Sequence, residues 1–318
     1  MKQSLVPVSG PLRVAVLVPC YNEETAIASV VGDFRRELPG AAIYVYDNNS
    51  LDRTVAVART SGAVVRSEPL QGKGNVVRRM FADIEADIYV LVDGDDTYDA
   101  ASAPAMIRLL IDGQLDMVNG ARVTEIRAAY RPGHRFGNLI LTSMVARIFG
   151  DRIGDMLSGY RVFSRRFVKS FPAMSCGFEV ETELTVHALE LAMPVAEIKT
   201  SYKDRPQGST SKLRTFHDGF RILWTIFVLV KEERPLAFFA SLFAVLAAIS
   251  VILSWPVIMT FIQTGLVPRF PTAVLATGIM LLGFLSLACG LILDTVTRGR
   301  KEMKRMRYLE IMAPGQLP

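Results

Sequence analysis

Short apolar runs alternate with amphipathic segments along the first part of the chain. The predicted strands are Arg13–Pro19, Ala42–Tyr46, Val64–Arg66 and Ile88–Val92, and the predicted helices are Thr25–Leu38, Thr54–Arg59 and Gly74–Ala86. Strands without polar alternation, separated by helices, are typical of a parallel sheet that is covered on both faces. The pattern therefore predicts an α/β, doubly wound fold, in which ligands bind at the C-terminal ends of the strands.

The alternation continues less regularly after the fourth predicted strand. Helices are predicted at His134–Phe149 and Phe178–Leu191, a strand at Pro194–Ile198, and a further helix at Phe216–Val230. This last helix has an apolar stripe with Arg214, His217 and Arg221 near it. A basic amphipathic helix of this kind is expected to lie in a membrane interface or to pack on the globular domain.

Two longer apolar stretches follow, Leu236–Ile262 and Thr272–Leu293, and neither contains a charged residue. About 20 helical residues cross the hydrocarbon core of a bilayer, so both stretches are long enough to span. Pro256 is expected to kink or end the first stretch. Buried helices of a soluble core are the alternative, but such helices rarely lack charges over this length.

Basic residues flank these stretches on one side. Lys231 and Arg234 precede the first stretch, the connecting loop carries Arg269, and six cations follow the second stretch between positions 298 and 307. The positive-inside rule therefore predicts a C-terminal two-helix transmembrane hairpin with both flanks in the cytoplasm. The apolar run Val14–Val18 is too short for a secretory signal. We expect a multi-pass protein of the cytoplasmic (inner) membrane, with the lipid bilayer as a partner.

Composition narrows the classes of function. The 318 residues are 50% hydrophobic with a mean hydropathy of +0.29, the net charge is +5 and the isoelectric point is about 9.1. The cations concentrate beside the predicted spans, where anionic lipids attract them, so no nucleic-acid partner is expected. The three cysteines show no C-x-x-C spacing, which argues against a disulfide framework and favours a reducing compartment.

Polar residues cluster where the predicted strands end. The clusters are Pro19-Cys20-Tyr21-Asn22-Glu23-Glu24, Asp47-Asn48-Asn49-Ser50 and Asp93-Gly94-Asp95-Asp96, and Gln71-Gly72-Lys73-Gly74 precedes a helix. Helix caps and turns explain any one of them. Four clusters at the same edge of one sheet favour a binding site.

Asp93-Gly94-Asp95 directly follows a predicted buried strand. Carboxylate oxygens at a strand end suit Mg²⁺ or Mn²⁺, which bridge to a diphosphate rather than sit in an all-protein cage. Gly94 allows the backbone to turn, so that both carboxylates reach one ion. Short motifs of this kind also occur by chance, so it is the position after the strand that supports a metal site.

Six segments together resemble family 2 glycosyltransferases, and within them the polyprenyl-phosphate branch that includes dolichol-phosphate mannose synthases. They are VLVPCYNEE (16–24), YDNNSLDRT (46–54), GKGNVVRRM (72–80), LVDGDDTYD (91–99), SGYRVFSRR (158–166) and YKDRPQGSTSKL (202–213). The resemblance implies a GT-A (Rossmann-like) catalytic domain, a nucleotide-diphosphate-sugar donor, a divalent metal and an inverting mechanism. It also implies a polyprenyl phosphate acceptor, and we expect the donor to be UDP-linked.

The resemblance assigns roles to particular residues. The nucleoside is expected at Pro19, Tyr21, Glu23 and Asp47, the metal and diphosphate at Asp93, Gly94 and Asp95, and the donor phosphates near Lys73. Arg205, Ser211 and Lys212 match the basic loop near the phosphates, and Asp155 and Glu179 match acidic positions on the side of the sugar and acceptor. Arg131 and Arg135 form a second cationic group for the acceptor. Catalysis is expected to depend on Asp95, Arg205, Lys212 and Asp155.

The chain departs from the family pattern at two places. Asn48 stands where members often carry a second Asp, and the basic loop has one residue more between Gly208 and Ser211 than in mannose synthases. The first departure affects the expected nucleoside contacts, and the second affects which residue of the basic loop contacts phosphate. The longer loop is more similar to bacterial relatives that transfer hexosamines or uronic acids.

The predicted organisation has five parts. They are an N-terminal tail (1–12), a GT-A domain (13–212), juxtamembrane amphipathic helices (213–234), a transmembrane hairpin (235–294) and a basic cytoplasmic tail (295–318). Two other functions stay open: a glycosyltransferase with another lipid or glycan acceptor, and a catalytically silent scaffold that binds nucleotide sugar. Assembly into a homo-oligomer is compatible with the sequence.

Overall fold

The computed structural model describes residues 12–123, 153–174, 177, 179–203, 228 and 231–314. The chain forms two compact units: Met1–Ile222 with Lys304–Pro318, here called the sheet unit, and Leu223–Met303, here called the helical unit. The predicted helix His134–Phe149 and all but one residue of Phe216–Val230 lie outside the described residues. Five candidate site residues also lie outside them: Arg131, Arg135, Arg205, Ser211 and Lys212.

The sheet unit is built around one seven-stranded sheet with the order β3-β2-β1-β4-β6-β5-β7. The strands are β1 (Val14–Cys20), β2 (Ala42–Asp47), β3 (Val64–Ser67), β4 (Ile88–Leu91), β5 (Met117–Val123), β6 (Arg161–Ser164) and β7 (Val195–Ser201). The neighbours β1–β2, β2–β3, β1–β4 and β5–β7 are parallel. The five strands expected from the sequence are all present, each with a boundary within a few residues of the prediction.

One strand reverses the direction of the sheet. β6 pairs antiparallel with β4 on one side and with β5 on the other. The predicted strands β1 to β4 pair in parallel with one another as expected, and the reversal occurs at a strand that the sequence analysis did not predict. All four residues of β6 are buried, including the polar Arg161 and Ser164, and nothing in these four residues indicates the direction of the strand.

Helices cover the sheet. They are α1 (Ile27–Glu37), α2 (Thr54–Thr60), α3 (Lys73–Asp83), α4 (Ala103–Asp112), α5 (Arg165–Ser170) and α6 (Val180–Glu190). In α1 the buried residues are Ile27, Val30, Val31 and Phe34, a spacing that places them on one face of a helix. They pack in one core cluster with the buried residues of β1 and β4. This packing fixes the strand ends, where the candidate residues lie.

The helical unit contains two long apolar helices. α7 (Pro235–Thr264) has 30 residues and α8 (Phe270–Leu309) has 40, and their most apolar windows have mean hydropathies of 2.7 and 2.2. Both are long and apolar enough to cross a membrane. They pack closely: a Cβ added at Gly290 would lie 2.8 Å from Cβ of Phe239. The hydroxyl of Ser250 donates to the carbonyl of Ala276 at 2.8 Å.

Pro256 lies inside α7, and the helix continues for two more turns to Thr264. Of the two expected outcomes, a kink or an end, the structure excludes the end. Proline has a backbone angle that a helix accepts, and it removes one hydrogen bond, which apolar spans tolerate. The helix ends instead at Gly265, which is left-handed with φ 66°.

The last residues of α8 belong to the sheet unit. Lys304 Nζ donates to Glu190 Oε2 at 2.7 Å, at the C-terminal end of α6. Arg305 Nη1 donates to the carbonyl of Leu191 at 2.6 Å. We call Lys304, Arg305 and Tyr308 the C-terminal clamp.

Tyr308 completes the clamp on a fully buried carboxylate. Its hydroxyl donates to Oδ2 of Asp116 at 2.8 Å, and the guanidinium of Arg166 lies 4.7 Å from the centre of its ring. Asp116 also accepts from Ser164 Oγ at 2.7 Å and from Arg166 Nη2 at 2.8 Å. From Lys304 to Leu309 the predicted basic tail is thus helical and packs within the sheet unit.

Candidate active site

The topology brings the candidate residues to one edge of the sheet. Of the described strands only β6 runs in the opposite direction, so its N-terminal end lies beside the C-terminal ends of the other strands. We call this edge the site edge. The chain leaves β5 for residues 124–152 and leaves β7 for residues 204–227 at this same edge.

A buried lysine lies at the centre of the site. Lys73, the first residue of α3, donates from Nζ to Oδ1 of Asp93 at 2.5 Å and also pairs with Oε1 of Glu181. Burial opposes the charge of Lys73, but the two carboxylates outweigh burial and raise its pKa. Lys73 is therefore a permanent cation that holds α3, β4 and α6 together at the site edge.

The D-x-D turn after β4 is tightly packed. A Cβ at Gly94 would lie 2.5 Å from Sγ of Cys20, and a Cβ at Gly159 would collide with the carboxylate of Asp93. Asp95 is 4% exposed, and its Oδ1 accepts from the hydroxyl of Thr97 at 2.6 Å. The two glycines therefore give Asp93 and Asp95 the room that their positions need.

These carboxylates fit a divalent ion that is shared with a substrate. Within the described residues no group of three or more His, Cys, Asp or Glu could hold a metal by itself. Lys73 engages Oδ1 of Asp93, whose side chain keeps 29% of its surface exposed. Two carboxylates with room for phosphate oxygens and water suit Mg²⁺ or Mn²⁺. With Glu181, the cluster of one cation and three carboxylates has a formal charge of −2, which matches one such ion.

The predicted nucleoside residues belong to two strand-end loops that are tied together. The backbone N–H of Asn22 donates to Ser50 Oγ at 2.8 Å, and that of Glu23 donates to Thr54 Oγ1 at 2.8 Å. The carboxylate of Asp47 accepts from the N–H of Ser50 at 3.2 and 3.3 Å. Glu23 and Asp47 are buried at this edge, Tyr21 lies in the same loop, and Pro19 pairs with Tyr46 within the sheet.

Asp155 is engaged by an arginine that the sequence analysis did not single out. Arg122 donates from Nε to Oδ2 and from Nη2 to Oδ1 of Asp155, both at 2.8 Å. Burial opposes ionisation of Asp155, but the hydrogen bonds and charge of Arg122 outweigh it and lower its pKa. Asp155 therefore orients a cation at the end of β5, next to the point where residues 124–152 begin.

The start of the basic loop is bound to the D-x-D turn. The N–H of Lys203 donates to the carbonyl of Thr97 at 2.8 Å. The rings of Tyr202 and Tyr98 are 5.2 Å apart, and the guanidinium of Arg122 lies 5.6 Å from the Tyr202 ring. Residues 202 and 203 thus lie beside the predicted metal ligands, immediately before the segment that carries Arg205, Ser211 and Lys212.

In α6 the residue that joins the lysine cluster is Glu181. Glu179, the predicted residue, is the N-cap of that helix. Glu181 is 5% exposed and shares Lys73 with Asp93. Glu179, Glu181 and Glu183 are the same residue type at alternate positions, so the sequence alone could not rank them; the register of α6 on the sheet decides.

Solved structures share this architecture. The structure of glucosyl-3-phosphoglycerate synthase from Mycobacterium tuberculosis with Mn²⁺, UDP and glucosyl-3-phosphoglycerate superposes with a TM-score of 0.57 at 22% identity, covering 69% of this chain and 79% of that chain. The fold of the sheet unit is therefore the GT-A fold.

Sequence comparison gives the family. Residues 15–171 match the model of Glycosyl transferase family 2. The chain is 33% identical over 303 residues to glycosyltransferase AglJ of Haloferax volcanii, covering 94% of this chain and 99% of that protein. It is 30% identical over 220 residues to the dolichyl-phosphate hexose transferase of the same organism, covering 69% of this chain and 95% of that protein. The chain belongs to glycosyltransferase family 2.

Proposed function

We propose that the protein transfers a sugar, with inversion, from a UDP-linked donor to a polyprenyl phosphate at the cytoplasmic face of the membrane. The observation that carries this proposal is the bond from Lys203 to Thr97, because it brings the start of the basic loop to the D-x-D turn. Thr97 lies two residues after Asp95, so the chain enters the basic loop beside the residues proposed to hold the diphosphate. One relative is by name a dolichyl-phosphate hexose transferase, which supports a lipid phosphate acceptor.

The metal is part of the same proposal. Asp93 and Asp95 are the residues that would hold Mg²⁺ or Mn²⁺, and Lys73 would keep Asp93 in place from its other oxygen. The ion would neutralise the donor diphosphate, which cannot stay unpaired in a partly dry site. A solved structure of similar fold contains Mn²⁺ with UDP, which supports this assignment.

The proposed acceptor needs no general base. A phosphate monoester has its second pKa near 6, so at pH 7 it is mostly dianionic and already nucleophilic. The difficulty is repulsion between this dianion and the donor diphosphate, which cations must lower. Arg205 and Lys212, with Arg131 and Arg135, are the proposed cations. Asp155 fits a positioning role, since Arg122 already holds both of its oxygens.

The base-free mechanism can be checked by single-turnover kinetics. The single-turnover rate should change with pH near the pKa of the acceptor phosphate. This change should persist in Asp155→Asn, because the titrating group belongs to the lipid phosphate. If Asp155→Asn loses this pH dependence with intact donor binding, and formate restores it, then Asp155 removes a proton.

The apolar helices α7 and α8 are proposed to span the bilayer as a hairpin. Their lengths of 30 and 40 residues and their exposed apolar side chains support this placement. A hairpin of this kind would keep the catalytic domain at the membrane surface, where a polyprenyl phosphate presents its phosphate. This placement explains why a glycosyltransferase domain is joined to a pair of spans.

The test uses the purified full chain with Mg²⁺, short-chain polyprenyl phosphate and a panel of nucleotide sugars. Mass spectrometry of the lipid phase should detect one sugar joined to the lipid phosphate, and Asp95→Asn should remove that product. The unphosphorylated polyprenol and a diacylglycerol are the matched acceptor controls. Transfer to either control, with none to the phosphate, would support the alternative acceptor, and binding of nucleotide sugar without any transfer would support a silent scaffold.

A further inference from the structure

We infer that Asn48 is a positioning residue for donor binding: its side-chain amide holds residues 68–72, here called the 68–72 loop, so that Lys73 meets Asp93. This inference rests on the proposed function in one respect, the use of UDP as the donor nucleotide. It concerns the residue at which the chain departs from the family pattern.

Asn48 uses its whole amide on the 68–72 loop. Nδ2 donates to the carbonyl of Glu68 at 2.9 Å and to the carbonyl of Leu70 at 2.8 Å. Oδ1 accepts from the N–H of Gly72 at 2.7 Å. Asn48 is 4% exposed, so these bonds are shielded from water. Two carbonyls and one N–H require a group with two donors and an acceptor, which among short side chains is the amide of asparagine.

The hydrogen bond between Asn48 and Gly72 is the one that affects the position of Lys73 in the site. Gly72 has φ 129° and ψ 138°, a conformation that residues with a side chain rarely adopt, and α3 begins at the next residue, Lys73. Gly72 is the N-cap of α3 and has no side chain with which to cap it, while its own N–H is held by Oδ1 of Asn48. The position of Gly72 therefore depends on Asn48, and it sets the direction in which Lys73 extends toward Asp93.

Asn48 also connects two parts of the site. It directly follows Asp47, the predicted nucleoside contact, and its own N–H donates to the carbonyl of Cys20 at 2.9 Å. The residue thus fixes the distance between the nucleoside end of the site, at β2, and the lysine cluster at Asp93. A donor that spans both ends needs that distance to be constant.

Aspartate cannot replace this amide at neutral pH. A carboxylate has no donor, so its oxygens would face the carbonyls of Glu68 and Leu70 without a proton between them. A buried polar group that loses its hydrogen-bond partner destabilises the folded structure around it. Protonation of the carboxylate restores one donor, so the Asn48→Asp variant should recover in part as the pH falls.

The experiment compares Asn48→Asp with Asn49→Asp in the full-length protein. Asn49 is the matched control: it also donates to this loop, at the carbonyl of Pro69, but it is exposed. Binding of UDP with Mn²⁺ is measured by calorimetry, and thermal unfolding is recorded for each variant. This readout needs no acceptor, so a failure of the polyprenyl-phosphate proposal leaves it unaffected.

We expect Asn48→Asp to weaken UDP binding about tenfold at pH 7.5 and less at pH 5.5, while Asn49→Asp stays within about twofold. If Asn48 acts through Lys73, then Asn48→Asp should add little when Lys73 is already changed to Gln or Met. An equal loss in the wild-type and Lys73→Gln backgrounds, or unchanged binding with a lowered unfolding temperature, would overturn the positioning role. A wild type that binds another nucleotide but not UDP would refute the proposed donor, and the same cycle is then run with that nucleotide.

Discussion

Replacing Lys304 by Met tests whether the C-terminal clamp stabilises the sheet unit. Lys304 is the described ion-pair partner of Glu190, whose side chain is 2% exposed, while Lys304 itself is 26% exposed. Removing the lysine leaves a buried carboxylate without its cation. The residue lies near the end of α8, outside the predicted site, so activity is not part of the reasoning.

The magnitude follows from the exposure of the two partners. Breaking a fully buried pair costs about 3–5 kcal/mol, and an exposed pair contributes about 0–1 kcal/mol. Because Lys304 is partly exposed, we expect Lys304→Met to lower the free energy of unfolding of the sheet unit by about 2–3 kcal/mol. For a unit of this size that corresponds to a fall of about 5–10 °C in the unfolding temperature.

Hydrogen exchange of peptides from α6, together with thermal unfolding in detergent, measures this loss of stability within the sheet unit. Arg307→Met is the matched control, since Arg307 pairs with Glu310 on the same helix end and both side chains are more than half exposed. The double variant Glu190→Gln with Lys304→Met should recover about half of the loss, because no charge is left unpaired. Equal effects of Lys304→Met and Arg307→Met, or no recovery in the double variant, would refute the reasoning.

Three further predictions follow from the site and the helices. Chelation should abolish turnover, and Asp95→Asn should lower it by about tenfold or more while Asp96→Asn has a smaller effect; full activity in excess chelator contradicts the metal assignment. In a variant without native cysteines, a Cys at Thr264 should be labelled from outside intact cells and a Cys at Glu302 should not, and the reverse pattern contradicts the topology. Burial, with a smaller contribution from the charge of Lys304, lowers the pKa of His187 to about 3. Because the unfolded chain binds this proton below pH 6.5 and the folded chain does not, stability present above pH 6.5 should fall by about 2 kcal/mol at pH 5, and His187→Gln should not show this loss.

The hydrophobic pattern was sufficient to predict the strands and helices that form the first half of the sheet. β1, β2 and β4 are apolar on both faces, and α1 shows helical spacing, so their predicted and observed ranges nearly coincide. The reversal at β6 could not be predicted, because direction depends on pairing with β4 and β5 and not on the four residues of the strand. Because of this reversal, β6 begins at the site edge, where β5 ends, and runs away from it.

The candidate site was predicted in part. Asp93, Asp95 and Lys73 could be found because they follow or precede recognisable elements, and the structure brings Lys73 and Asp93 into contact. Arg122 and Glu181 have no local motif: each acquires its role only when β5 or α6 packs beside a distant segment. From the sequence, Asn48 is only a departure from the family pattern, and its hydrogen bonds to the 68–72 loop become visible only in the structure.

The basic residues near the end of α8 have a consequence for the proposed membrane placement. Each of the six cations between positions 298 and 307 has a partner within the protein: Asp294 for Arg298, the Glu232 carbonyl for Arg300, Glu233 for Lys301, Glu190 for Lys304, the Leu191 carbonyl for Arg305 and Glu310 for Arg307. Four of these partners are carboxylates, so a formal charge of +6 becomes +2. A juxtamembrane cation contributes about 1 kcal/mol of attraction to anionic lipid, and most of that attraction is cancelled here. The positive-inside rule counts Lys and Arg rather than net charge, so the topology is unaffected. Under the proposed membrane placement, the end of α8 should therefore add little attraction to anionic lipid of its own, and its contribution should change little with ionic strength and with the fraction of acidic lipid.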